Sequence, residues 1–389
     1  MSGQQRTERR KRRRLKRWVR LTLLGLFLAA AAALAANLFM TEEAEEGVQN
    51  SAKKSTGQNN GEQPVTAPEA KPVSASITIS AAGDFTLGTD ETFAYTGSFS
   101  EEAEKNGLSH FTAGLNDIFK NDDLSTVNLE TTLTEATEKA VKKFRFKGDP
   151  GYTQILTDAG IEAVNLANNH IFDYLEQGYE DTKANLKAAD IGYFGYEDTF
   201  MTEVDGVQIG ALGYEGWEDT AEIRDQVKAD IAKMREEGAA IVIVHFHWGV
   251  ERSYVPEESQ RTLAQFTIDE GADLVVGHHP HVVQGIEEYN GKFIVYSLGN
   301  FMFGGNRNPA DKDTYVFQQT FQLEDGKVTD QKEIHVVPFS ISSRTDRNDY
   351  QPTQLEGSEK ERVLNKIIDV SNQIKESNWT QYMSSEPSS

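Results

Sequence analysis

The run Gly277-His278-His279-Pro280-His281 holds three of the chain's eight histidines within four residues and directly follows the largely apolar stretch Ala272 to Val276. Imidazoles just past a strand end stand where α/β sheets bind ligands. Pro280 favours an extended conformation at His279. That geometry puts His279 and His281 on one side as metal ligands and His278 on the other, either orienting a ligand or touching substrate.

Five more strand ends repeat the pattern. Ser76 to Ala82 ends in Gly83-Asp84, and Leu124 to Leu129 carries Asn128-Leu129-Glu130. Ile161 to Leu166 leads into Asn168-Asn169-His170 with Asp173 beyond, and Ala239 to Val244 runs into His245-Phe246-His247-Trp248-Gly249. Phe293 to Leu298 ends in Gly299-Asn300-Phe301. Side chains two apart on a strand share a face, which pairs Asn128 with Glu130 and His245 with His247. Taken singly, Asp84 also reads as a turn residue after glycine, and Asn128 with Glu130 as a solvent-facing edge. Six such ends along what reads as one edge of an open sheet describe a metal site instead. The chain has no cysteine, which excludes thiolate ligands, disulfides and a Cys nucleophile. Oxygen and imidazole donors suit Mn, Fe or Zn, and two ions ~3.5 to 4 Å apart are the usual means of hydrolysing phosphoesters. The competing reading is an unmetallated sheet edge with hydrogen-bonded buried histidines.

The elements that position these groups alternate strand and helix, with amphipathic helices expected at Phe111 to Lys120, Tyr152 to Gly160, Leu175 to Ala189, Ala221 to Glu237, Pro256 to Glu270 and Glu361 to Ile374. Tyr315 to Leu323 and Glu333 to Val337 read as closing strands of a second sheet. Lys142 to Gly148 is the one dense basic cluster past the N-terminal segment. With Arg145 and Lys147 on one strand face it reads either as a grip for an anionic group or as a charged edge strand.

Residues 1–18 are strongly basic and precede an uncharged run from Leu21 to Met40, long enough to cross a bilayer core of ~30 Å. The positive-inside bias places the basic end in the cytoplasm, residues 19–40 in the membrane and the remainder outside. A cleaved signal peptide with Ala33-Leu34-Ala35 at its cleavage site is the rival reading. Residues 41–74 lack large apolar side chains and read as a disordered linker, residues 75–345 as the catalytic-size domain, and 346–389 as a terminal helix and tail. Net charge is −22, yet residues 1–20 carry ten bases and one acid, leaving 29 bases against 60 acids beyond them. So acidic a body does not bind nucleic acid.

In order and spacing, these motifs from about Ile77 to Phe303 resemble the CapA/PgsA family of poly-γ-glutamate capsule proteins, related to calcineurin-like metallophosphatases. The resemblance implies an α/β fold, a sandwich of two mixed β-sheets flanked by helices, after an N-terminal transmembrane helix. It places metal-site positions at Asp84, Glu130, Asn169, His170, His247, His279 and His281. On this reading Asp84 and His170 are catalytic and one or two divalent ions are bound. Arg145, Lys147, His278 and Asn128 contact substrate, while His245, Asp173 and Asn300 orient the ligands. The implied role is synthesis, export or attachment of an anionic capsule polymer, by a metal-dependent hydrolase or by a non-catalytic subunit of a membrane synthase complex. The wider superfamily has Asp-x-His in its first motif and Gly-Asp in its second. Here Thr86 stands two past Asp84, and the second motif is Asn128-Leu129-Glu130. One nitrogen ligand is missing, and His245 is a candidate to supply it.

Overall fold

The computed structural model describes residues 74–375 and 378–384. The basic segment, the expected anchor, all but the end of the linker, and the final residues lie outside them. Among the described residues, no helix is long and apolar enough to cross a membrane.

Seventeen strands, β1 to β17, occur in the described chain. The larger sheet is built on β1 (Ser74–Thr86), β3 (Leu124–Leu129), β6 (Ala163–Asn165) and β7 (Gly192–Phe194), extended on the other side of β1 by β15 (Asp313–Glu324), β16 (Lys327–Ser340) and β17 (Thr353–Gln354). β14 (Asn300–Phe303) pairs parallel with the end of β1. The second sheet runs β12-β13-β11-β10-β9-β8, with β8 at Phe200–Val204, β9 at Val207–Glu215, β10 at Ile241–His247, β11 at Leu274–His278, β12 at Ile286–Tyr289 and β13 at Lys292–Val295. A small sheet joins β2 (Thr89–Asp90), β5 (Phe146–Gly148) and β4 (Thr132–Leu133).

Alternation along the strands makes the layers. In β10, Ile241 and Ile243 enter a core shared with Ile77, Ile79 and Ala81 of β1, while Val242, Val244 and Phe246 face the helices Ala221–Glu236 and Glu258–Asp269. Strands buried on both faces read as continuous apolar runs. The outer face of the larger sheet packs on Phe99, Phe111, Phe119, Ile155 and Leu186. The result is the expected sandwich of two mixed sheets between helical layers, and the site is therefore built across two sheets rather than along one open edge.

Two further expectations change. Phe111 to Lys120 is not a helix, because Asn116 and Asp117 take positive φ and break it after the short 3-10 turn Leu108–Thr112. Its apolar residues still pack: Phe111, Leu115 and Phe119 are buried. β15 and β16 do not close the second sheet, since β15 pairs antiparallel with β1 from Ser74 to Ala81. Beyond residue 345, β17 pairs with β16 and the helix Gly357–Asn372 inserts Val363, Ile367 and Val370 into the core between the sheets.

Candidate metal centre

In β3, Leu124 faces the core between the sheets and Val127 and Leu129 face outward, so Thr126 and Asn128 point inward, with Glu130 next in line. In β10 the same alternation turns His245 and His247 inward. β1 needs a device. Ile77, Ile79 and Ala81 face inward while Ala82 and Phe85 both belong to the outer core, so strict alternation would send Asp84 outward. An irregularity between Ala81 and Asp84 restores the inward aim. Gly83 sits in it, where a Cβ would meet Gly299 O at 2.1 Å.

His279 and His281 have φ of 96° and 56°. This corrects the extended conformation expected before Pro280. The two left-handed turns bring His278, His279 and His281 toward one cluster, strain of a kind that accumulates at functional sites.

Two donor groups result, Glu130 with His247 and His279, and Asp84 with Glu130 and His281, the donor atoms of each lying within 4.8 Å of one another. Glu130 belongs to both. Both its carboxylate oxygens are buried without a hydrogen-bond partner, as is His279 Nδ1. Orphaned oxygen and nitrogen atoms beside further imidazoles are what a divalent cation satisfies, so the residues fit the metal that the sequence implies. His247 Nε2 also lies 2.9 Å from Asn169 Oδ1, and His281 Nδ1 2.9 Å from Asn300 Oδ1.

The electrostatics follow from burial and crowding. Burial alone would raise Asp84, but hydrogen bonds and charge from His278 and His281 outweigh it and hold its carboxyl well below the usual range. Burial, then the charge of Asp84, raises Glu130 well above it. Burial lowers His247, and with the charge of His281 it takes His279 down to about 3. Burial opposes protonation of His281 too, but Glu130 and Asp84 prevail and push it up to about 9.

His170 Nδ1 lies 2.7 Å from Asp173 Oδ2, and its Nε2 stands 4.0 Å from Glu130. Asp173 is in turn paired with Lys142, whose Nζ also donates to the Asn169 carbonyl at 2.6 Å. Burial lowers the His170 imidazole despite Asp173.

The structure relocates several expected roles. Arg145 and Lys147 do not line the cleft. Phe144 and Phe146 do, because the strand presents its other face there. Arg145 lies 3.9 Å from Glu91, and Lys147 donates to the Ala136 carbonyl and covers the Tyr174 ring. Asn128 is fully buried and does not reach the cleft. Its amide donates to Asp84 Oδ1 at 2.9 Å and accepts from Asn165 and Asn168. His278 is likewise buried, at 1% exposure. His245 does not replace the missing nitrogen ligand, since its two ring nitrogens face Thr126 Oγ1 at 3.0 Å and His278 Nε2 at 2.8 Å.

Those contacts run in series from Asp84 to Thr126. Asp84 Oδ1 lies 3.4 Å from His278 Nδ1, an ion-pair separation. His278 Nε2 stands 2.8 Å from His245 Nδ1, and His245 Nε2 lies 3.0 Å from the Thr126 hydroxyl. Sequence reasoning missed Lys142, Trp217, whose ring lies 4.7 Å from that of His279, and Arg252, whose N–H donates to Pro280 O at 2.7 Å. Lys142 was visible within its basic cluster; the other two had no signal beyond following strand ends.

Comparison with known proteins adds the following. Residues 78–305 match the family described as bacterial capsule synthesis protein PGA_cap. The PGA biosynthesis protein CapA of Bacillus subtilis is 34% identical over 51% of this chain and 58% of its own length. The capsule biosynthesis protein CapA of Bacillus anthracis is 28% identical over 70% of this chain and 71% of its own. The chain thus aligns with little more than half of the first relative. Among solved structures, a phosphatase from Mycoplasma pneumoniae is 14% identical with a TM-score of 0.42, covering 68% of this chain and 95% of that one, a likeness too distant to assign chemistry.

Proposed function

Because the chain belongs to the bacterial capsule synthesis protein family PGA_cap, we propose that it acts in synthesis, export or attachment of an anionic capsule polymer resembling poly-γ-glutamate, as a metal-dependent hydrolase held outside the cell by its N-terminal segment. Its partners on this reading are the polymer or its precursor and membrane subunits of a capsule synthase. The observation that carries it is Glu130, a buried carboxylate with no partner of its own, shared by two donor groups.

Asp84, Glu130 and His281 would hold one divalent ion, and Glu130, Asn169, His247 and His279 a second, of Mn, Fe or Zn type. When bound, such ions supply an activated water and polarise the scissile group. Asp173 fixes the Nδ1 edge of His170, so Nε2 is the atom turned toward Glu130. A proton carried there would be delivered to the leaving group or stabilise charge developing on it. The Lys142–Asp173 pair keeps that imidazole in place.

The test is elemental analysis of the purified chain with assays on phosphodiester and γ-glutamyl substrates across divalent ions. Bound metal with hydrolysis is the expected result; neither metal nor turnover with any ion rules the reading out. One observation favours a non-catalytic assembly subunit instead. Thr86 stands where the superfamily has a histidine, and its buried hydroxyl has no hydrogen-bond partner. Folded Asp84→Asn and His247→Ala variants separate the two, since an enzyme loses capsule output and an assembly subunit keeps it.

A further inference from the structure

Nine large hydrophobic side chains are exposed among the described residues. Apart from Tyr95, all fall in four segments, in which Phe144 and Tyr254 line a cavity beside the metal ligands and Trp217 packs on His247 and His279. Val141 and Phe144 precede β5, Phe172 and Leu175 follow His170, Trp217 follows β9, and Val250, Tyr254 and Val255 follow β10. Val141 is 104% exposed, so nothing in the fold accounts for it. Exposed apolar side chains beside a polar cavity mark a place where something apolar binds.

A cavity of about 480 Å³ opens beside the metal ligands, with His170, His281 and Asn300 at one end and Phe144, Phe146, Tyr254 and Phe303 among its walls. That volume suits a small molecule. Its wall also carries Arg252, whose guanidinium has no partner among the described residues, while Lys143 lies over the Phe144 ring without a carboxylate. Two carboxylates share the wall, Glu251 and Asp311, the latter accepting from the Tyr254 hydroxyl at 2.7 Å and paired with Lys366.

Resting on the hydrolase reading above, we infer that the cleft takes an anionic amphiphile, its charged head between the metal centre and Arg252 and its apolar portion along Phe144, Phe146, Tyr254 and the surrounding rim. Aromatic walls leading away from a polar centre add an apolar contact that the charged groups of a polymer or its precursor do not use, and that an apolar portion of the precursor does. An alkyl chain laid on them leaves water, and each buried methylene strengthens binding.

The probe is a photoreactive decyl phosphate, compared with its ethyl counterpart and an uncharged decanol analogue. Each is applied to the full chain in zwitterionic membranes, with labelled peptides mapped by mass spectrometry. Decyl phosphate should label residues 139–147 and 250–255 at least about tenfold more than ethyl phosphate. Phe144→Ser with Tyr254→Ser should remove that advantage. Arg252→Asn, chosen because asparagine tolerates the positive φ found there, should weaken labelling by decyl phosphate but not by the decanol analogue. Equal labelling by the two phosphates, or a chain-length advantage that survives the double substitution, overturns the inference. Metal analysis of the same preparation tests the hydrolase reading separately. Labelling without metal leaves the amphiphile site and removes the enzyme, while metal and turnover without chain-length preference do the reverse.

Discussion

Glu130 is the side chain on which both donor groups depend, and burial, then the charge of Asp84, makes its own charge costly when no cation is present. Replacing it with Gln removes a shared ligand and an uncompensated buried carboxyl together. Glu130→Gln should therefore lose bound metal by elemental analysis while melting no lower than the metal-free wild type; stoichiometric metal in the variant would contradict the shared-ligand geometry. The Thr126 hydroxyl stands farther off, at the end of a series of contacts that runs through His245 and His278 to Asp84. Losing such an orienting partner costs roughly tenfold or more in metal affinity. Thr126→Val should show that loss by calorimetry and Thr126→Ser should restore it, whereas an unchanged affinity would mean that the chain orients nothing. The candidate donors were legible as residue types gathered at strand ends, although at Asp84 and at His279 and His281 the two-residue period does not set their aim. The chain behind Asp84 was not, since Thr126 and His245 lie 119 residues apart and meet only when the two sheets pack. Arg145 and Lys147 were placed on the wrong side for a related reason. Alternation says which residues share a face, but only the tertiary structure says which face meets the cleft.

The strand end is the element that makes the site, and in β1 it works only because an irregularity at Gly83 re-aims Asp84. A methyl group there collides with the Gly299 carbonyl, a backbone atom that cannot step aside. Gly83→Ala should destabilise the metal-free protein by about 2 kcal/mol in urea denaturation, as overpacking does, and should weaken metal binding as β1 and β14 separate. Intact affinity would show that Asp84 does not depend on this close approach. β3 was readable to its exact ends, and the helices of the second layer to within a few residues, because their apolar periods are unbroken. The break at Asn116 and Asp117 and the pairing of β15 with β1 were not. One depends on local backbone conformation, the other on contacts more than 230 residues apart. At the other ends of β3 and β6, Asp122 and Glu162 face Ser125. Burial pushes Asp122 up to about 6 and Glu162 up to about 7. Their values unfolded are about 4, so the folded chain holds these protons more tightly and stability falls as pH rises between about 4 and 7. Asp122→Asn with Glu162→Gln should match the wild type near pH 4 and melt higher at pH 8, by an amount that solvent screening keeps modest. Parallel melting curves across that range would remove these two groups as the cause.

Across the whole molecule, charge works against the substrate proposed for it. Beyond residue 20 the chain holds 60 acids and 29 bases, so an anionic polymer approaching from solution meets a repulsive field before it reaches Arg252. Salt screens that field within a Debye length of about 10 Å at 0.1 M and about 30 Å at 0.01 M. Close contacts inside the cleft are screened far less, so the ionic strength acts mainly on the encounter. For an anionic polymer the association rate should therefore rise as salt is increased from about 0.01 to 0.1 M, the reverse of an enzyme whose surface steers its substrate. An uncharged ester cleaved at the same centre should show no such rise. Stopped-flow binding at several salt concentrations measures both. If polymer association slows with salt instead, the field at the cleft mouth is positive and Arg252 with the Lys142–Arg145 segment outweighs the acidic body locally. That outcome would recast the basic cluster as a steering surface, although Arg145 and Lys147 turn away from the cavity itself.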